Sequence, residues 1–157
     1  MKRVFLFIIF VLLISMTLSA YDLSLAGISA VGAAAGAYTG LLLSVPVLIL
    51  LSNTGMIEED IYSPFSTAMY DAMDFGSALG AIVGGITAKY TYITLRRVSW
   101  NFKNIAFDVI TTSFVVMLSH ITMDIIENYV DIPVFAENII IIPALSGTYL
   151  GINVPVE

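Results

Sequence analysis

The longest uncharged stretch of the chain lies between Asp22 and Glu58, and it limits the folds that are open to this sequence. As a straight helix, residues 23–52 would extend about 45 Å. The hydrocarbon core of a bilayer is only about 30 Å thick, so we predict a transmembrane helix that is tilted or kinked. Pro46 is the predicted kink, because its ring removes one backbone donor and clashes with the preceding turn. The stretch is apolar throughout and lacks the alternation of apolar and polar residues that transmembrane strands require.

The composition also indicates a lipid environment. Of the 157 residues, 59% are hydrophobic and 11% are charged, whereas a soluble domain carries about 25% charged residues. So few charges cannot form a polar shell around a core of this size, which favours the lipid bilayer as the partner of the chain. The net charge of −6 argues against nucleic acid as a partner. With no cysteine, the chain has no disulfide, thiolate metal site or thiol nucleophile.

The first twenty residues, MKRVFLFIIFVLLISMTLSA, have the parts of a secretory signal peptide. Lys2 and Arg3 form its basic start, an apolar run follows, and the segment ends in small residues at Ala20. We therefore predict a signal peptide over 1–20, with an uncleaved membrane anchor as the alternative. Residues 21–157 are predicted to form a single membrane-embedded helical domain.

Three further apolar segments follow, at residues 72–95, 105–126 and 138–153. The first two are long enough to cross a bilayer as helices, and the third is short for a full span. The predicted fold class is all-α: an integral membrane bundle of about four glycine-rich apolar helices behind the signal peptide.

Small residues recur at every fourth position in these segments, in the runs GAAAGAYTG, GSALGAIVG and GTYLG. Residues four apart lie on one face of a helix, so each run forms a stripe without large side chains. Helices in lipid gain little by hiding apolar side chains, and they gain by close backbone contact, which small residues permit. The predicted packing residues are Gly32, Gly36, Gly40, Ala72, Gly76, Gly80, Gly84, Ala88, Gly147 and Gly151. The stripes either pack the helices of one chain together or face a second copy in a homo-oligomer.

These runs resemble the glycine-zipper motif of small membrane proteins, and the ending PALSGTYLGIN is similar to the last helix of small bacterial envelope proteins of unknown function. The resemblance implies close helix packing and a membrane location, and it carries over no active site. Such proteins include structural components and oligomeric pores.

The charge pattern leaves the choice of envelope membrane open. Basic residues concentrate in the connector at 96–103, and acidic residues at 56–74 and 127–137. The positive-inside rule would place the connector in the cytoplasm. A cleaved signal peptide leaves Tyr21 outside, and one crossing by residues 23–52 then puts the first acidic interval inside, against that rule. Either residues 23–52 fold back as a re-entrant hairpin, or the rule does not apply because the destination is another envelope membrane, so inner and outer membrane both stay open.

Charged residues within apolar helices are costly, so each is a candidate functional residue. If the second and third helices form an antiparallel hairpin, five ionisable residues gather at one boundary: Asp71, Asp74, His120, Asp124 and Glu127. Such a cluster could hold a divalent cation. No spacing among them matches a known metal motif, and we favour the alternative that the carboxylates lie in headgroup water with His120 one turn deeper.

Lys89 and Asp108 form a second candidate group. In the same hairpin Lys89 aligns near residue 111, within one turn of Asp108. An ion pair between the two helices would neutralise both charges and fix the register. Lys89 could instead extend to the membrane surface.

No nucleophile elbow, P-loop, dinucleotide fingerprint or HExxH motif occurs, so we expect no enzyme, cofactor or small-molecule substrate. The sequence favours a structural or scaffolding component of the cell envelope. The alternatives are an oligomeric channel or transporter whose path includes Lys89, Asp108, His120 and Asp124, and a module that binds divalent cations.

Overall fold

The computed structural model describes the ranges 22–56, 67–130, 132–133 and 136–152. The predicted signal peptide at 1–20 and the acidic run at 58–60 lie outside them. Within these ranges the regular structure is helical, which confirms the all-α prediction. The helices are α1 (Leu23–Asn53), α2 (Thr67–Leu95), α3 (Phe102–Glu127) and α4 (Ile142–Ile152), and a π-helical turn (Glu137–Ile141) leads directly into α4.

Two of the helices, α1 and α3, are long and apolar enough to span a membrane. Their most apolar windows have mean hydropathies of 2.0 and 1.7. The hydrocarbon core of a bilayer takes about 20 residues of helix. The 11 residues of α4 and the five of the π-helical turn before it are fewer than that.

The most extensive interface joins α1 and α2, which run antiparallel. Their glycine stripes face each other: Gly36 lies opposite Gly80, Gly40 opposite Gly76, and Gly32 opposite Gly84. A Cβ atom added at any of these six positions would collide with a backbone carbonyl oxygen of the other helix. The two backbones therefore touch without intervening side chains, the geometry that small-residue stripes permit.

The third stripe packs α4 against α1. A Cβ atom at Gly147 would collide with Ala30, and one at Gly151 would collide with Ala26. The amide of Asp22 also donates to the carbonyl of Gly151 (3.4 Å). All three predicted stripes are thus in contact within one chain, while Ala72 and Ala88 extend the α2 stripe at either end.

The helix α3 differs from the other three because it contains no glycine. The prediction of about four glycine-rich helices therefore holds for three of them. Without a bare stripe the backbone of α3 cannot approach a neighbour closely, and its contacts with α2 and α4 are sparser than those between α1 and α2.

Local sequence signals define the helix ends. Asp22 caps α1 by accepting a bond from the amide of Leu25 (3.0 Å), and Asn101 forms a capping box with Asn104 at the start of α3. The end of α2 is a Schellman motif, in which Arg97 takes the left-handed conformation (φ 59°) that usually favours glycine.

Burial in the described residues is inverted relative to a soluble protein. Val31 and Ile110 are each 71% exposed, whereas the side chains of Lys89 and Asp108 are 0% and 2% exposed. A soluble protein buries its large apolar side chains and leaves most charges in water. The other buried polar residues are Ser29, Ser77, Thr112, Ser119, Glu137, Asn138 and Ser146.

The glycine contact predicts that a change of glycine to alanine affects stability differently at two positions in α1. Gly36→Ala places a methyl group against the Gly80 carbonyl, so the helices must separate, at a cost of about 1–3 kcal/mol. No neighbouring atom lies within 4 Å of a Cβ atom added at Gly27. Gly27→Ala should therefore leave stability unchanged or raise it by up to about 1 kcal/mol. Chemical unfolding of both variants in detergent micelles measures the difference. Equal effects at the two positions would contradict the backbone contact.

Candidate functional site

Two groups of charged and polar residues lie between the helices at different levels. One group consists of Lys89, Tyr90 and Asp108, here called the lysine site. The other joins Asp74, His120, Asp124, Glu127, Glu137 and Asn138, here called the carboxyl cluster. Asp74 and Lys89 are fifteen residues apart on α2, which separates the two levels by about 22 Å.

In the lysine site, Asp108 is the acceptor for two donors from α2. The Lys89 ammonium Nζ lies 2.7 Å from the Asp108 Oδ2 atom, and the Tyr90 hydroxyl donates to the same oxygen at 2.7 Å. The expected pairing of Lys89 with Asp108 is therefore present in the structure, and Lys89 does not extend to the surface. Because a buried charge is costly unless it is paired, this site ties α3 to α2.

Two aromatic side chains are in contact beside the lysine site. The rings of Tyr90 and Trp100 meet edge to face with their centroids 5.2 Å apart, and Trp100 donates its indole N–H to the Thr94 hydroxyl at 2.8 Å. Trp100 belongs to the basic connector, so this contact anchors the connector to the end of α2.

In the carboxyl cluster, Asn138 links the start of the last helical segment to α2. Its amide nitrogen donates to the Asp74 Oδ1 atom at 2.8 Å, and its amide oxygen accepts from the Ser77 hydroxyl at 3.0 Å. Asn138 and Ser77 are both buried. These bonds fix where the chain re-enters the bundle after α3.

Glu137 provides the second link, from the last helical segment to α3. Its Oε1 atom lies 3.5 Å from the His120 Nδ1 atom. The pKa of Glu137 is raised to about 7, first by burial, then by the charge and hydrogen bond of Glu127 and by the charges of Asp74 and Asp124. Glu137 precedes α4 and lies outside the two helices that are long enough to span a membrane.

The sequence did not single out Glu137 or Asn138, although both stand directly at the start of the last apolar segment. Both belong to the carboxyl cluster, whereas Asp71, which the sequence placed in this group, does not. Within the described ranges no three His, Asp, Glu or Cys residues are placed so that they could hold a metal ion. The cation interpretation of the five predicted residues therefore has no geometric support.

An open groove of about 870 Å³ runs along α1 and α2, on the glycine contact. Its walls include Leu43, Val47, Phe75, Leu79 and Val83, and none of its lining residues is ionisable. A catalytic pocket needs convergent polar groups with perturbed acidity, whereas the polar side chains that line this groove are the hydroxyls of Thr39, Ser44 and Thr87.

No protein-family model matches the chain, and the searches of curated proteins and of solved structures found no match either. The functional conclusions therefore rest on the geometry of the chain itself.

A double-mutant cycle tests the lysine site. Lys89→Met removes the cation that balances Asp108, and Asp108→Asn removes the anion, so either change alone should cost about 3–5 kcal/mol of unfolding free energy. The double variant should lose much less than the sum, since it buries no charge and the amide introduced at position 108 still accepts from Tyr90. Unfolding in detergent measures all four proteins, and strictly additive losses would contradict the pairing.

Proposed function

We propose that this protein is a non-catalytic structural component of a bacterial cell-envelope membrane, embedded in the bilayer as a compact helical bundle. The observation that carries this proposal is the inverted burial: large apolar side chains point outward while Lys89 and Asp108 are enclosed. Lipid is the solvent in which this distribution is stable, because it solvates apolar surface and penalises exposed charge.

A structural role is supported by what the polar residues do. Each buried charged group in the described ranges lies within ion-pair distance of a residue on another helix: Lys89 contacts Asp108, and Glu137 contacts His120. Groups used in this way hold helices in register. The apolar groove adds an outer surface that acyl chains of the lipid can fill.

A channel is the second candidate, and one observation favours it. The hydroxyls of Ser29 and Thr112 and the Nε2 atom of His120 are buried without a hydrogen-bond partner among the described residues, and such groups often bind internal water. Against a continuous path, Val116 is buried on α3 between Thr112 and His120.

The Lys89→Met/Asp108→Asn double variant also distinguishes the structural role from the channel. In cells that lack the protein, the resistance of the envelope to detergent and osmotic shock should be lost. It should be restored by the wild type and by the Lys89→Met/Asp108→Asn double variant, which keeps the packing. Gly36→Leu, which forces α1 and α2 apart, should fail to restore it although the chain is still made.

The matching measurement in vitro uses the purified chain in liposomes. Proton and potassium flux should equal that of empty liposomes at pH 6 and pH 8. Flux that the double variant abolishes would overturn the structural role in favour of the channel. Recovery of the protein in the soluble fraction after carbonate extraction would overturn the membrane location itself.

A further inference from the structure

We propose that the basic connector at 96–103 binds the headgroups of anionic phospholipids through Arg96, Arg97 and Lys103. This binding rests on the proposed membrane location, to which it adds a class of lipid. The ligand is a phosphodiester headgroup with a net negative charge, and the connector meets it at the surface of the leaflet in which α3 begins.

The unpaired positive charge of the described chain is concentrated in this connector. Lys89 is paired with Asp108 inside the bundle, and the other lysines and arginines of the described ranges are Arg96, Arg97 and Lys103. All three are exposed, and none of them lies within ion-pair distance of a carboxylate in the described ranges. The fold therefore leaves three neighbouring cations for an external anion.

The acidic side chains near the connector do not neutralise it. Asp22, at the same end of the bundle, already caps α1 by accepting from the amide of Leu25 at 3.0 Å. The first turn of α3 contains Lys103 and no acidic residue, although the start of a helix favours a negative charge. An anion at the connector is thus attracted both by the side chains and by the start of α3.

Exposed apolar side chains beside these cations favour a lipid over a soluble anion. Leu95 and Phe102 are each 78% exposed, and Trp100 is 42% exposed. Tryptophan is enriched where a membrane meets water, and the long side chains of lysine and arginine reach from apolar surface to the headgroups. An inorganic anion would leave these apolar groups in water, whereas a phospholipid covers them with its acyl chains.

Arg96 is held in place without using its hydrogen-bond donors. Its guanidinium carbon lies 4.9 Å from the centroid of the Tyr92 ring, a cation–π contact. This contact restricts the side chain and leaves its N–H groups for a ligand. A guanidinium group offers a phosphate two parallel N–H donors, which makes arginine well suited to bind it.

The backbone of Arg97 gives an independent observation. In the Schellman motif at the end of α2 this residue has a φ of 59°, a conformation that glycine adopts without strain and that a Cβ atom disfavours. Glycine would therefore make the more stable turn. Strained non-glycine residues concentrate at functional sites, and what arginine adds here is an exposed positive charge next to that of Arg96.

The chain has one tryptophan, Trp100, so its fluorescence reports on the connector directly. The full chain is reconstituted in phosphatidylcholine liposomes that contain brominated acyl chains on either phosphatidylglycerol or phosphatidylcholine. Bromine quenches the fluorescence of a tryptophan that it contacts. At low salt the wild type should prefer the brominated phosphatidylglycerol by about tenfold or more, and this preference should fall as the salt concentration rises.

Arg97→Gly separates lipid binding from folding. It should unfold at a higher denaturant concentration than the wild type, because glycine relaxes the turn, yet it should lose about fivefold of the lipid preference with the lost charge. Lys103→Gln should lower the preference in the same way, and Arg97→Lys should retain it. The matched control is Asp71→Asn, which removes an exposed charge near the start of α2 and should leave the preference unchanged.

Equal quenching by the two brominated lipids in the wild type would overturn the proposal. So would a preference that persists in both Arg97→Gly and Lys103→Gln. In either case, a chain that resists carbonate extraction would leave the proposed membrane role standing. A chain that carbonate releases would contradict the membrane role itself, and the lipid proposal with it.

Discussion

The direct contact between the backbones of α1 and α2 is the constraint on which the rest of the bundle depends. Glycine is unfavourable in an ordinary helix by about 1 kcal/mol relative to alanine, yet six glycines line this single interface. In lipid the loss is offset by van der Waals contact over the length of the interface. Against this pair of helices, α4 packs onto α1 through Gly147 and Gly151.

Polar side chains attach α3 to the bundle, whereas glycine contacts join the other three helices. Because α3 has no small-residue stripe, it is attached near its start by the pair of Lys89 and Asp108, and nearer its end by the contact of His120 with Glu137. These two attachments are directional and depend on charge, whereas the glycine contact depends on shape alone. The bundle therefore combines two helices in direct backbone contact with a third helix that is attached by polar side chains.

Much of this architecture could be predicted from the sequence, because apolar runs and helix caps are local signals. The predicted segment at 23–52 differs from α1 by one residue, and the segment at 72–95 shares its end with α2. A hairpin register counted from the connector was enough to bring Lys89 within one turn of Asp108. The roles of Glu137 and Asn138 could not be predicted in this way. Their bonding depends on how the last segment folds back onto α2. Asn138 bonds to Ser77 and Asp74, which precede it in the chain by 61 and 64 positions.

The start of α1 lies at the same end of the bundle as the basic connector. Leu25 packs in one cluster with Ile93, and Val98 packs against it, so the start of α1 at Asp22 and the exposed Arg96 and Arg97 share one end of the bundle. A leader removed by a signal peptidase would put those arginines on the exported side, whereas cytoplasmic arginines require that the leader was never released there. The side of the membrane on which residue 97 can be labelled therefore also reports the side on which α1 begins.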